Sequence, residues 1–142
     1  MKCEPGWEPH GGNCYYFSTT KSSWTDSRRS CTDLGSDLVK IDSREEQTFL
    51  MRKVREKING VNEIIWIGLT AVKTEGSWLW VNGSPLNTSF LGPNQPDCAG
   101  GRTHDCNNKM VCGRMMKTTN SDLVWLDGYC DDYLRSICVK AA

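Results

Sequence analysis

Neither sign of charge prevails in this chain of 142 residues: Lys and Arg number 17, as do Asp and Glu. Such a balance leaves no basic footprint for nucleic acid or for an anionic membrane surface, so neither is an expected partner. No apolar run approaches the ~18 residues of a membrane-spanning helix, and no signal-peptide pattern opens the sequence. The chain therefore reads as a mature or recombinant fragment, with Met1 a start added for expression. Histidine is scarce, and neither His10 nor His104 has a convincing nucleophile beside it, so an enzyme is not expected. Cysteine is plentiful, at 8 residues, yet no C-x-x-C pair occurs, which removes the usual zinc and redox spacings. An even number at wide spacings reads instead as four disulfides in an oxidising compartment, hence a secreted, extracellular protein. The sequon Asn87-Thr88-Ser89 fits secretion, as does Asn82-Gly83-Ser84 more weakly, because Pro85 follows it.

What is present has a clear order. The longest apolar run, Ile64-Ile65-Trp66-Ile67-Gly68-Leu69, has the length and β-branching of a strand buried on both faces. Before it, turn residues between Cys3 and Cys14 and the aromatic run Tyr15-Tyr16-Phe17 predict a hairpin closed by a Cys3–Cys14 bridge. Ser22 or Ser23 then caps a helix to Leu34, ended by Gly35, with Trp24, Ser27, Cys31 and Leu34 on the buried face. Residues 37–41 predict a short strand or connector. Ser43-Arg44-Glu45-Glu46 is a capping box opening a second helix, whose stripe is Phe49, Leu50, Val54 and Ile58 and which ends at Gly60. The basic residues Arg52, Lys53, Arg55 and Lys57 alternate with acids and read as its solvated face.

After the central run, Trp78 and Trp80 alternate with Leu79 and Val81 in a strand reaching the Asn82-Gly83 turn. Periodicity then vanishes from Pro85 to Asn108, and an aperiodic stretch of that length inside a compact domain is usually functional. Residues 110–115 and 123–126 predict a strand pair, and 136–139 a closing strand. No internal repeat or linker interrupts residues 1–142, which read as a single domain.

The order Cys3-x3-Trp7, Cys14-Tyr15-Tyr16-Phe17, Cys31, Trp66-Ile67-Gly68-Leu69, Trp78-x-Trp80-x-x-Gly83, Gln95-Pro96-Asp97 and Ile137-Cys138 resembles the C-type lectin-like domain. That is the carbohydrate-recognition fold of animal lectins. The texture around Ser43-Arg44-Glu45-Glu46-Gln47-Thr48-Phe49 is similar to secreted fish lectins of the skin-mucus type and to dendritic-cell lectin receptors. The resemblance implies an α+β fold of two helices flanking two small antiparallel sheets, with a long ligand loop. It also implies the pair Cys31–Cys138, and it makes Cys3–Cys14 the mark of the long form. For the remaining four cysteines two pairings are open. His104-Asp105-Cys106 resembles the family's Glu-Asp-Cys and would pair Cys106 with Cys130. The better strand around Cys112 favours Cys112–Cys130, with Cys98–Cys106 closing the loop.

In this family a loop Ca²⁺ anchors the sugar, and Gln-Pro-Asp is the tripeptide associated with galactose-type ligands. Gln95-Pro96-Asp97 matches it, and Asp127 falls in the family's Trp-Asn-Asp, here Trp125-Leu126-Asp127. The family's later Glu aligns with His104 or with Met110, and its aromatic platform is replaced by Cys98-Ala99. Gln95, Asp97, His104 and Asp127 are thus the candidate ligand-binding residues, and Gln95, Asp97 and Asp127 the residues left to hold an ion. Tyr129 and Tyr133 are candidates for a stacking face. Fewer charges and oxygens predict that Ca²⁺ binding is weak or lost. The implied function is a galactose- or lactose-binding lectin, agglutinating microbial surfaces as a homodimer. The alternatives are a calcium-independent protein-binding module, or an ice-binding protein on the same fold.

Overall fold

The computed structural model describes residues 3–57, 64–72, 77–85, 111–117 and 123–142. Their elements are β1 (Glu8–His10), β2 (Asn13–Phe17), α1 (Trp24–Asp33), β3 (Asp37–Leu38), α2 (Arg44–Lys57), β4 (Ile64–Val72), β5 (Ser77–Trp80), β6 (Val111–Lys117), β7 (Leu123–Tyr129) and β8 (Arg135–Ala141). The strands run β1-β2-β8-β4-β6-β7 across the sheet, with β3 on β8 and β5 on β4. The two antiparallel groups expected from the sequence are thus joined. Their junction is parallel, Ile65 opposite Arg135 and Trp66 opposite Ser136.

The central strand sorts its side chains with period 2, as a doubly covered strand must. Ile65, Ile67 and Leu69 enter one core with Tyr15, Phe17, Phe49, Leu50 and Ile137. Trp66 enters the other, with Trp24, Cys31, Leu38 and Cys138. Helix α2 supplies Phe49 and Leu50 to the first, and α1 supplies Trp24 and Cys31 to the second. The buried indoles are satisfied across the layers: Trp24 Nε1 donates to Ile67 O at 2.8 Å, and Trp66 Nε1 to Ser22 O at 3.0 Å.

Local signals explain where the helices stop and start. Ser23 caps α1, its Oγ accepting from Asp26 N at 3.2 Å. Gly35, at φ 75°, turns the chain so that Ser36 N donates back to Cys31 O. Leu34 corrects one expectation, being 46% exposed rather than buried. The stripe 24, 27, 31, 34 assumes helical geometry throughout, but Leu34 is the cap and leaves the helix path. Arg28 reaches Asp37 with two bonds of 3.1 and 3.2 Å, a half-exposed pair of modest value.

At α2, Ser43 Oγ accepts from Glu46 N at 3.1 Å, and Glu46 reaches one residue further back, accepting from Asp42 N at 2.7 Å. Its other oxygen accepts from the Tyr15 hydroxyl at 2.5 Å. Burial, and then the Glu46 carboxylate, push the Tyr15 phenol above its ordinary range. A raised phenol contributes stability that is complete below the unfolded value, roughly pH 10, and is lost as pH climbs above it. Tyr15→Phe strands a buried carboxylate oxygen and is expected to cost about 1–3 kcal/mol at neutral pH. The variant should also lose less stability than the parent between roughly pH 9 and 11, as urea unfolding at both values will show.

Three disulfides lie among the described residues: Cys3–Cys14, Cys31–Cys138 and Cys112–Cys130. Cys98, Cys106, Ile58, Gly60 and Met110 lie outside the described residues. The first and last described elements meet: Asn13 pairs with Ala141 in β2–β8, and Ala142 N donates to Gly12 O at 3.0 Å. No helix among the described residues is long and apolar enough to cross a membrane.

Candidate functional site

The aperiodic stretch is held by two built ends. At its start, the Asn82-Gly83 turn has Gly83 at φ 89°, with Gly83 N donating to Trp80 O at 2.8 Å. Asn82 Oδ1 accepts from Ser84 N at 3.0 Å and from Ser84 Oγ at 2.7 Å. Trp80 N donates to Ser84 O, and Leu79 bridges Pro85. At its end, β6 pairs with β7 from Val111 opposite Tyr129 to Lys117 opposite Leu123, and the Cys112–Cys130 bond ties the pair to the following turn.

Asp127 sits in β7 opposite Gly113, beside the point where the stretch rejoins the sheet. Gln95, Asp97 and His104 lie outside the described residues. Tyr129 stands opposite Val111 at the same end. Tyr133 is 68% exposed in the turn before Leu134, which bridges Ser22 and so belongs to the neighbourhood of α1.

Beneath this end lies an arginine that the sequence reading passed over. Arg114 is 8% exposed, with its guanidinium 4.7 Å from the centre of the Trp66 ring. Its Nη2 donates to Asp132 Oδ2 at 2.8 Å and to Tyr129 O at 3.4 Å. Gly128 makes room for it: a Cβ there would stand 1.8 Å from Arg114 Nη2. Among the described residues the partners of this guanidinium, Asp132, Tyr129 and the Trp66 ring, all belong to the fold, while its Nε is buried with no hydrogen-bond partner, so Arg114 reads as a brace between β6 and the turn after β7.

Among the described residues no group of three or more His, Cys, Asp or Glu could hold a metal ion. The sequence set of two carboxylates and one amide also falls short of the roughly 6–8 oxygens that Ca²⁺ takes.

A groove lies at the β1 edge of the sheet, where α2 meets the β1–β2 hairpin. Its volume is about 370 Å³, and His10, Arg44, Glu45, Thr48, Phe49 and Arg52 line it. His10 stacks on Phe49, centroids 4.2 Å apart and planes 12° from parallel. The sequence reading treated His10 only as a failed catalytic residue; the available signal was Arg44, Thr48 and Arg52 at helical spacing.

A helix on each side of a joined sheet, with a long stretch launched from an Asn-Gly turn and recovered beside a disulfide, defines a lectin-type binding scaffold. Residues 20–140 match the family model described as the lectin C-type domain, and the chain belongs to that family. It is 30% identical over 141 residues to the human C-type mannose receptor 2, covering 99% of this chain and 9% of the receptor. Among solved structures it is similar to the human scavenger receptor C-type lectin carbohydrate-recognition domain, with a TM-score of 0.82, 31% identity, and 99% and 100% of the two chains covered. It is also similar to a calcium-independent type II antifreeze protein, with a TM-score of 0.77, 30% identity, and 99% and 95% covered.

Proposed function

We propose that this chain binds galactose-type glycans through the stretch between Pro85 and Val111, with little or no help from Ca²⁺. The observation that carries this reading is Gln95-Pro96-Asp97 within a C-type lectin domain whose remaining ion ligands are reduced to Asp127. Gln95 offers an amide donor and Asp97 carboxylate acceptors, the pair that two neighbouring sugar hydroxyls require. His104 and Asp127 complete the proposed contact set. The disulfides fit secretion into an oxidising compartment, and agglutination of microbial surfaces requires two sites, which a homodimer supplies.

Lactose is expected to elute the protein from a galactosyl matrix, and a chelator to do so poorly. Asp97→Ala should weaken lactose binding about tenfold or more, equivalent to about 1.4 kcal/mol, with the fold unchanged. Normal lactose binding by that variant refutes the assignment, and complete elution by chelator refutes calcium independence. A second reading, ice binding, draws on the likeness to the antifreeze protein. Thermal hysteresis in a freezing-point assay, without lactose binding, would select it.

A further inference from the structure

We propose that the groove between α2 and the β1–β2 hairpin is a second ligand site, for an anionic saccharide. Its charge comes from Arg44 and Arg52 against the single lining acid Glu45. The arginines are eight positions apart on α2, about 12 Å along the helix and on one face with Thr48 midway. Thr48 Oγ donates to Arg44 O at 2.8 Å, which leaves its oxygen lone pairs as acceptors for a sugar hydroxyl.

Two other basic residues of α2 are engaged in ion pairs, and Arg44 also has a contact within the fold. Lys57 pairs with Glu8 at 3.0 Å, and Lys53 with Glu56 at 3.2 Å, and Lys57 holds the Glu8 carboxyl below its usual range. Arg52 differs. It is exposed, its guanidinium lies 5.9 Å from the Phe49 ring centre, and it forms no ion pair among the described residues. A guanidinium beside an aromatic ring and without an ion pair keeps its planar fork for a sulfate or carboxylate.

The flat wall selects the rest of the ligand. Phe49 is 4% exposed and covered by His10, so the half-buried imidazole is the surface a ligand meets. A pyranose ring presents one apolar face to such a wall and carries its charge at the rim, within reach of the arginines. A simple inorganic anion has no use for the wall, and a neutral sugar has none for the arginines. The volume of about 370 Å³ suits one or two sugar rings. The loop is launched from β5 and recovered on β6, whereas β1 is the far edge of the sheet. The groove is therefore proposed to bind without help from the loop.

Titration calorimetry with a heparin-derived tetrasaccharide tests this on the whole chain, with thermal unfolding confirming that each variant is folded. Arg52→Gln should weaken binding about tenfold or more, and Arg44→Gln by a smaller but measurable factor of at least about threefold. Arg55→Gln, on the same helix but outside the groove, should change it less than about threefold. His10→Ala should weaken it at least about threefold, because the ligand loses its flat wall. Saturating lactose should leave the affinity unchanged, and so should Asp97→Ala, so a failure of the loop assignment is read separately. The proposal is overturned by absence of binding, by equal losses at Arg55 and Arg52, by competition from lactose, or by a tetra-aspartate peptide binding as tightly.

Discussion

Replacing Cys31 and Cys138 together by alanine is expected to lower the unfolding free energy by about 4–5 kcal/mol. Their bond joins residues 107 apart in sequence and ties α1 to β8. In the chain-entropy model, cutting so long a loop frees the unfolded chain more than cutting a short one. The same arithmetic gives about 3 kcal/mol for Cys112–Cys130, with a separation of 18, and slightly less for Cys3–Cys14, with a separation of 11. Both sulfurs of the long bridge are also buried, Cys31 at 0% and Cys138 at 3% exposure, so the alanines leave unfilled space in the core around Trp24 and Trp66. Urea unfolding of the three double-alanine variants should rank them in that order. If all three lose the same amount, loop length is not what governs their contribution.

Gly68→Ala is expected to cost about 2–4 kcal/mol, combining overpacking with a lost hydrogen bond, and Gly68→Val more. A Cβ on Gly68 would stand 2.8 Å from Leu38 O and 3.0 Å from Val39 O. Both obstacles are backbone, and Leu38 and Val39 are fully buried, so neither can step aside. Gly68 also carries two bonds that hold the layers together: its N donates to Val39 O at 2.8 Å, and its O accepts from Val81 N at 2.8 Å. These bonds are free to form because the β4–β6 register slips between Trp66 and Thr70, which lie opposite Arg114 and Cys112. Pushing the connector at 38–39 away would loosen β3 and the strand that precedes the Asn82-Gly83 turn. Lactose binding should weaken along with stability in Gly68→Val. Thermal unfolding of the alanine variant within about 0.5 kcal/mol of the parent would show that the connector yields more easily than its burial indicates.

The helices and most strands were legible because their signals are local. Ser23 and Gly35 bound α1, Ser43 and Glu46 open α2, and the alternation around Trp78 and Trp80 marks β5. Leu34 misled because a helical stripe can be counted past the last helical residue. The parallel contact of Ile65 and Trp66 with Arg135 and Ser136 was illegible, since it joins residues about seventy apart with no pattern linking them. The run 64–69 announced burial on both faces but not the register slip that frees Gly68. The proposed loop residues were visible only as a tripeptide in an aperiodic stretch, where resemblance and not periodicity supplied their meaning. The groove of His10 and Arg52 was missed because a hairpin and a helix far apart in sequence build it together.

The meeting of the first and last described elements has a consequence for architecture on a larger scale. Cys3 is bonded to Cys14, Cys14 faces Lys140 across β2–β8, and Lys140 in turn reaches Glu4 and lies 4.3 Å from the Trp7 ring centre. Entry and exit therefore share one corner of the sheet. A polypeptide that enters and leaves a module at one point can carry it as a side bead, and its own path is hardly lengthened by the insertion. Such a unit can be duplicated in tandem, spliced into a host loop, or circularly permuted by joining 142 to 3 and opening the turn at 82–83, with the sheet order left as it is.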